Sequence, residues 1–266
     1  MSVDYAVYRE TLSKSFKIAA FGAGLCTVSA VFDLVIYLAD LYEMDFIITW
    51  LGIVGLLVFG GGLVSAGQKL CDLGHNETGV TSAGGGLIFA GIIGAIMEFF
   101  VNDDWMYEGT SSYIWMGLSL FGFVIAYYAL KQADDKEDKF FGTASIGFGL
   151  IIIVNIILFA ALKLILNYGD DLLFRNPNAF LKILIWISEH INTVMIVSGS
   201  LIILGNMMCW ISIGSYSDFM KEIVEEKRAA EKEEIKENLI NEALAEYKER
   251  HAKDAAASYE DVEKES

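Results

Sequence analysis

The chain has 266 residues, of which 55% are hydrophobic and 20% are charged, and its formal net charge is −16. Such an acidic protein is not expected to bind nucleic acid, because that partner requires a surface rich in Lys and Arg. The composition is not that of a soluble domain either. Apolar runs of about 20 residues, the length that crosses a ~30 Å hydrocarbon core, alternate with short polar segments. Because lipid cannot hydrogen-bond a free backbone, each run predicts a helix.

Six transmembrane helices are predicted, which makes the fold class an all-α membrane protein. The six spans are Ile18–Tyr37, Phe46–Ala66, Ala83–Val101, Tyr113–Leu130, Phe141–Leu166 and Ile191–Ile213. Residues 1–17 are expected to be a short cytoplasmic N-terminus and not a cleavable signal, because the first apolar run is too long for the h-region of a signal peptide. The transmembrane domain is therefore expected to cover residues 18–213.

The basic residues predict the orientation, since cytoplasmic loops carry an excess of Lys and Arg. With the N-terminus inside, the cytoplasmic segments before the tail hold seven basic residues and the outer segments hold three. The seven are Arg9, Lys14, Lys17, Lys69, Lys131, Lys136 and Lys139, and the three are Lys163, Arg175 and Lys182. The chain is therefore predicted to be a multi-pass protein of the cell membrane with both termini in the cytoplasm.

A G-x-G-L motif recurs at nearly equal spacing and predicts an internal repeat. It begins at Gly22, Gly84 and Gly147, so its copies start 62 and 63 residues apart, each near the cytoplasmic start of an odd-numbered helix. The repeated unit is a two-helix hairpin, present in three copies over residues 18–79, 80–140 and 141–214. The third copy departs from the other two through a longer outer loop.

The repeated glycines favour close helix packing. Small residues let helices approach each other in lipid, so Gly24, Gly86 and Gly149 are predicted to lie at helix–helix contacts. A nucleotide-binding fingerprint is not indicated, because that motif needs a preceding strand and the spacing G-x-G-x-x-G. The arrangement of three glycine-rich hairpins resembles the bacterial six-helix membrane proteins of the acid-resistance family. The resemblance is one of overall shape and implies no role for any individual residue.

Ionisable residues within the predicted spans are the candidates for function, because they are costly in lipid. Asp33, Glu98, Glu189 and His190 all fall near the outer ends of their helices. Two interpretations remain open. These side chains reach into headgroup water or cap a helix contact, or they converge at the mouth of the bundle as an ion or proton site. The outer loops would attract cations, since they hold eight acids: Asp40, Glu43, Asp45, Asp103, Asp104, Glu108, Asp170 and Asp171.

The sequence carries no signature of catalysis or metal binding, so no enzymatic activity, metal or cofactor is predicted. It contains no G-x-S-x-G, H-E-x-x-H or Walker motif. Cys71 and His75 form a C-x3-H pair without the second pair that a zinc site needs. Asn155 and Asn206, the polar residues deeper in the bundle, are expected to hydrogen-bond neighbouring helices and thereby to support packing.

The residues after the last span predict a charged helical tail. Ser215 and Asp218 match the S-x-x-D pattern of a helix start, so a cytoplasmic amphipathic helix is predicted over residues 215–251, followed by a disordered tail over 252–266. Ile235 and Leu239 belong to an apolar stripe at helical spacing, which is short and irregular for a coiled coil. An acidic tail is repelled by anionic lipid and is expected to contact protein.

Two functional hypotheses follow from these features. In the first, the chain is a non-enzymatic integral membrane protein that forms homo-oligomers through its glycine faces, acts as a scaffold and binds a cytoplasmic protein partner through its tail. In the second, it is a cation channel or transporter with an acidic outer mouth. Both place the chain in the lipid bilayer. An ion-flux assay and the mass of the detergent-solubilised protein distinguish the two.

Overall fold

The computed structural model describes residues 5–41, 44–72, 78–100, 111–134, 140–172, 182, 185–187 and 189–264. These residues form six α-helices: α1 Tyr5–Ala39, α2 Asp45–Asp72, α3 Thr78–Phe100, α4 Ser111–Asp134, α5 Phe140–Leu172 and α6 Ile191–Lys264. The described part of the chain contains no strand. The prediction of an all-helical protein is thereby confirmed.

Five of the helices are long and apolar enough to cross a membrane by their length and composition. They are α1, α2, α3, α5 and α6. This result agrees with the prediction of a membrane protein. The helix α4 is not among the five, so its role as a sixth span stays a prediction, as do the orientation of the chain and the type of membrane.

The six helices form a closed ring in chain order. Each helix contacts the one before it and the one after it, and α6 returns to contact α1. Within the described residues, no other two helices approach each other along their backbones. Because successive helices are antiparallel, one end of the ring carries the start of α1 and the long extension of α6. This end is named the tail end, and the opposite end is named the far end.

An apolar core fills the half of the ring that lies toward the tail end. Phe59 of α2 and Phe148 of α5 stack across the ring with their centroids 5.9 Å apart. Phe16 of α1 meets Tyr216 of α6 edge to face at 4.6 Å. Leu12 and Phe16 are both buried in this core. Residues 5–17 are therefore the first turns of α1, whereas the sequence assigns residues 1–17 to a separate N-terminal segment.

The G-x-G motif places one glycine against each neighbouring helix. Residues two apart on a helix point roughly 200° apart around its axis, so the two glycines face opposite sides. A Cβ at Gly84 would lie 2.5 Å from the carbonyl oxygen of Gly60 in α2, and a Cβ at Gly86 would lie 2.6 Å from that of Gly122 in α4. The intervening Gly85 is exposed, with no atom within 4 Å of a Cβ. The motif thus lets α3 pack closely on both sides.

In the first and third copies of the motif, the first glycine packs against the following helix and the second glycine against the preceding helix. The second copy has the opposite arrangement. Gly24 of α1 and Gly149 of α5 each pack against the helix that precedes them in the ring, where a Cβ would lie 3.3 Å from the rings of Trp210 and Tyr127. Gly86 instead packs against the helix that follows it. All three glycines lie at helix contacts, but the contacts of the second hairpin are not equivalent to those of the other two.

The helix α6 continues without a break through the predicted start of the tail. Ser217 lies in the interface with α1, where its hydroxyl donates to the carbonyl of Ser13 and the Ser13 hydroxyl donates to the carbonyl of Ser217, both at 3.0 Å. These buried contacts outweigh the local capping signal at Ser215, since tertiary packing overrides propensity. Residues 252–264 are also helical, where disorder is predicted, and the alanines among them favour a helix.

Candidate functional site

A polar cavity occupies the half of the ring that lies toward the far end. Its volume is about 320 Å³, and residues of α1, α2, α4, α5 and α6 line it. Its polar lining residues are Cys26, Ser29, Asp33, Ser119, Asn155 and Asn206. It is hereafter named the central cavity. Because five helices around the ring contribute to its wall, the cavity depends on closure of the ring between α6 and α1.

Aromatic side chains close the central cavity toward the tail end. Phe123 of α4 lines the cavity, and its ring centroid lies 6.2 Å from that of Phe148. Phe148 in turn stacks on Phe59, and both of these side chains are only 2% exposed. These packed rings therefore lie between the central cavity and the tail end.

Most of the hydrogen-bond donors around the central cavity are bound to backbone carbonyls. Asn155 and Asn206 each donate from Nδ2 to the carbonyl four residues earlier in their own helix, at 2.8 and 3.0 Å. Ser119 donates to the carbonyl three residues earlier, at 2.9 Å. Ser29 donates to the carbonyl of Ile48 in α2, also at 2.9 Å. Each hydroxyl hydrogen and one N–H of each amide are thereby occupied, and the amide and hydroxyl oxygens remain as acceptors for a ligand.

Asp33 supplies the carboxylate of this lining. It shares one face of α1 with Cys26 and Ser29, because residues three or four apart on a helix lie one above the other. The lining contains no Lys, Arg or His. A single negative charge among neutral oxygen acceptors matches a monovalent cation better than a divalent one, since calcium sites generally gather several carboxylates.

Of the four residues predicted as an ion site, one lines the central cavity. Asp33 lines it, whereas Glu98 is half-buried near the end of α3, a helix that contributes nothing to the lining. Glu189 and His190 are exposed just before α6, and the His190 ring stacks on Trp186 with centroids 4.8 Å apart. The described residues include no group of three or more His, Cys, Asp or Glu side chains that could hold a metal ion.

The acids of the predicted outer loops are only partly within the described residues. Glu43, Asp103, Asp104 and Glu108 lie outside them, as does His75 of the C-x3-H pair. Asp40 follows the end of α1 with a φ of 59°, a conformation common at helix C-termini. Asp45 lies in the first turn of α2, where a negative charge stabilises the helix dipole. Asp170 and Asp171 belong to the last turn of α5.

Five polar lining residues are not part of the site predicted from the sequence, and Cys26 is one of them. Ser29 and Ser119 are not singled out there, and Asn155 and Asn206 are assigned to contacts between helices. The structure instead directs each amide nitrogen to its own helix. The one signal available in the sequence is the spacing of Ser29 and Asp33, since residues four apart share a helix face.

Comparison with known proteins assigns no function to the central cavity. No protein-family model matches the chain, and neither a curated protein nor a solved structure is similar to it. Function is therefore inferred from the residues and the cavities themselves.

Proposed function

We propose that the chain binds a monovalent cation in the central cavity and acts as a cation channel or transporter of the cell membrane. The observation that carries this proposal is the position of Asp33 in a cavity whose other polar groups present oxygen acceptors. Such oxygens can replace the hydration shell of a cation. The Asp33 side chain is exposed and lies among apolar helices. An ionised carboxylate there is costly unless water or a counterion compensates it, and a bound cation would be that counterion.

The aromatic side chains beneath the central cavity favour a gated pathway over an open pore. A cation bound near Asp33 would reach the tail end only after Phe123 and Phe148 separate, because their rings pack at 6.2 Å between centroids. In this proposal α4 is the sixth span, and the tail end faces the cytoplasm, as the distribution of Lys and Arg predicts. The acidic residues near the far end would then raise the local cation concentration.

Cation flux into proteoliposomes tests the proposal. We expect the full-length protein to carry Na⁺, K⁺ or protons, and Asp33→Asn to reduce that flux at least tenfold while leaving expression and assembly unchanged. Asp40→Asn is the matched control, because Asp40 is exposed outside the central cavity and asparagine adopts its positive φ. A flux through Asp33→Asn equal to that of the unchanged protein would contradict the proposal.

A second candidate function is a membrane scaffold that binds a protein through its tail. Ile235, Leu239 and Leu244 are each about half exposed on the extension of α6, and Gly61 and Gly85 have no atom within 4 Å of a Cβ. These features would suit contacts with other chains. In this case the detergent-solubilised protein should have the mass of an oligomer, Leu239→Glu should reduce that mass, and the cation flux should be absent.

A further inference from the structure

A second cavity adjoins the central cavity at Asp33. Its volume is about 170 Å³, and it lies between α1, α5 and α6. Ala30, Asp33 and Ile202 line both cavities. The remaining walls of the second cavity are Leu34, Tyr37, Leu158, Met195 and Gly199, which are apolar apart from the Tyr37 hydroxyl. This second cavity is named the crevice. Asp33 therefore stands between a polar compartment and an apolar one.

The crevice lies along the contact between α1 and α6. Side chains of α1, and not its backbone, face α6 there. A Cβ at Gly199 would lie 3.1 Å from the end of the Leu34 side chain. Near the far end the Tyr37 hydroxyl donates to Oδ1 of Asn192 at 2.7 Å. Leu34 and Met195 are only half-buried, so the crevice reaches the outer surface of the ring. A ligand in it would contact lipid on one side and Asp33 on the other.

We propose that the two cavities together bind an alkylammonium ion, with the ammonium group beside Asp33 and the alkyl chain in the crevice. This inference rests on the proposed cation binding and names the class of cation. An ammonium group offers only hydrogen-bond donors, which matches the acceptors of Asp33, Asn155 and Asn206. At roughly 30 Å³ for each water-sized group, the crevice accommodates a chain of about five or six carbons. A metal ion would leave the crevice unfilled.

Calorimetric titration of the full-length protein in detergent compares three probes. Hexylammonium carries both the charge and the chain, methylammonium carries the charge alone, and hexanol carries the chain alone. We expect hexylammonium to bind at least tenfold more tightly than methylammonium, because burying the chain removes apolar surface from water. Hexanol should bind at least tenfold more weakly than hexylammonium. Asp33→Asn should abolish the binding of both cations.

Filling the crevice should remove the advantage of the longer cation. Leu158→Trp is expected to lower the affinity for hexylammonium to that for methylammonium and to leave the methylammonium affinity unchanged. Ile157→Trp adds the same bulk at a neighbouring side chain that is 53% exposed, so it should leave both affinities unchanged. Met195→Phe narrows the same crevice from α6 and gives an independent reading if Leu158→Trp does not fold.

The outcomes separate this inference from the proposed function. If methylammonium binding depends on Asp33 but hexylammonium binds no more tightly, the crevice is not a site for the chain and the proposed cation function stands. The same conclusion follows if hexylammonium keeps its advantage after the crevice is filled. If neither cation binds to the unchanged protein, the inference and the proposed cation site are both overturned.

Discussion

The contact between α3 and α4 predicts that alanine substitutions at two adjacent glycines, Gly85 and Gly86, have different effects on stability. A Cβ at Gly86 would lie 2.6 Å from the carbonyl oxygen of Gly122 and 3.0 Å from the Cβ of Ile125. Carbon atoms pack best at about 3.5–4.0 Å, so the two helices would have to separate by roughly 1 Å, and such a gap forfeits about a quarter to a half of each dispersion contact. Overpacking of this kind costs about 1–3 kcal/mol. Because the helix propensity of alanine acts equally at both positions, we expect the free energy of unfolding of Gly86→Ala to be lower than that of Gly85→Ala by that amount.

Gly85→Ala is the matched control for this prediction. No atom lies within 4 Å of a Cβ at Gly85, which belongs to the same helix. Alanine favours a helix over glycine by about 1 kcal/mol, so Gly85→Ala should leave the stability unchanged or raise it. Equilibrium unfolding in mixed detergent micelles, followed by circular dichroism, measures both variants. Equal unfolding midpoints for Gly86→Ala and Gly85→Ala would refute the close approach of α3 and α4.

Three further predictions concern the ends of the ring. Ser217→Ala should lower the free energy of unfolding by about 1 kcal/mol, because the buried hydrogen bond to Ser13 is lost, whereas Ser215→Ala at an exposed position should not change it in the same unfolding assay. Asp40→Gly should raise the melting temperature, since glycine adopts the positive φ of this position without steric cost; an unchanged or lower melting temperature would argue against the helix end as described. An impermeant thiol reagent should not label the exposed Cys71 in intact cells, and labelling there would reverse the proposed orientation.

The positions of the helices could largely be predicted from the sequence, whereas their ends could not. Apolar runs must be helical in lipid, so each predicted span overlaps a helix of the structure. The helix α2 nevertheless continues beyond Ala66, because Lys69 is accommodated by its neighbour. The Lys69 ammonium donates to the carbonyl of Thr11 at 3.0 Å and to the hydroxyl of Ser15 at 2.7 Å. The hydrogen-bond partners of the Lys69 ammonium belong to α1, and the hydropathy of α2 cannot predict a contact with another helix.

The candidate site could be predicted only in part, and for a related reason. Asp33 stands out in the sequence because a carboxylate in an apolar run is costly. Asn155 and Asn206 gain their position beside it only when α6 closes the ring against α1, a contact between residues far apart in the chain. Gly84 contacts α2 and Gly86 contacts α4 because of the rotation of α3 about its own axis. The G-x-G pattern, which all three copies share, does not specify that rotation.

The central claim is that Asp33 faces a cation-binding cavity, and labelling by a hydrophobic carbodiimide tests it most directly. This reagent modifies protonated carboxyl groups in apolar surroundings, and mass spectrometry locates the adduct. We predict an adduct at Asp33 that saturating methylammonium or Na⁺ prevents, with no effect of either cation on labelling of the half-buried Glu98, which lies outside the central cavity. Labelling of Asp33 that neither cation reduces would contradict a cation site in the central cavity.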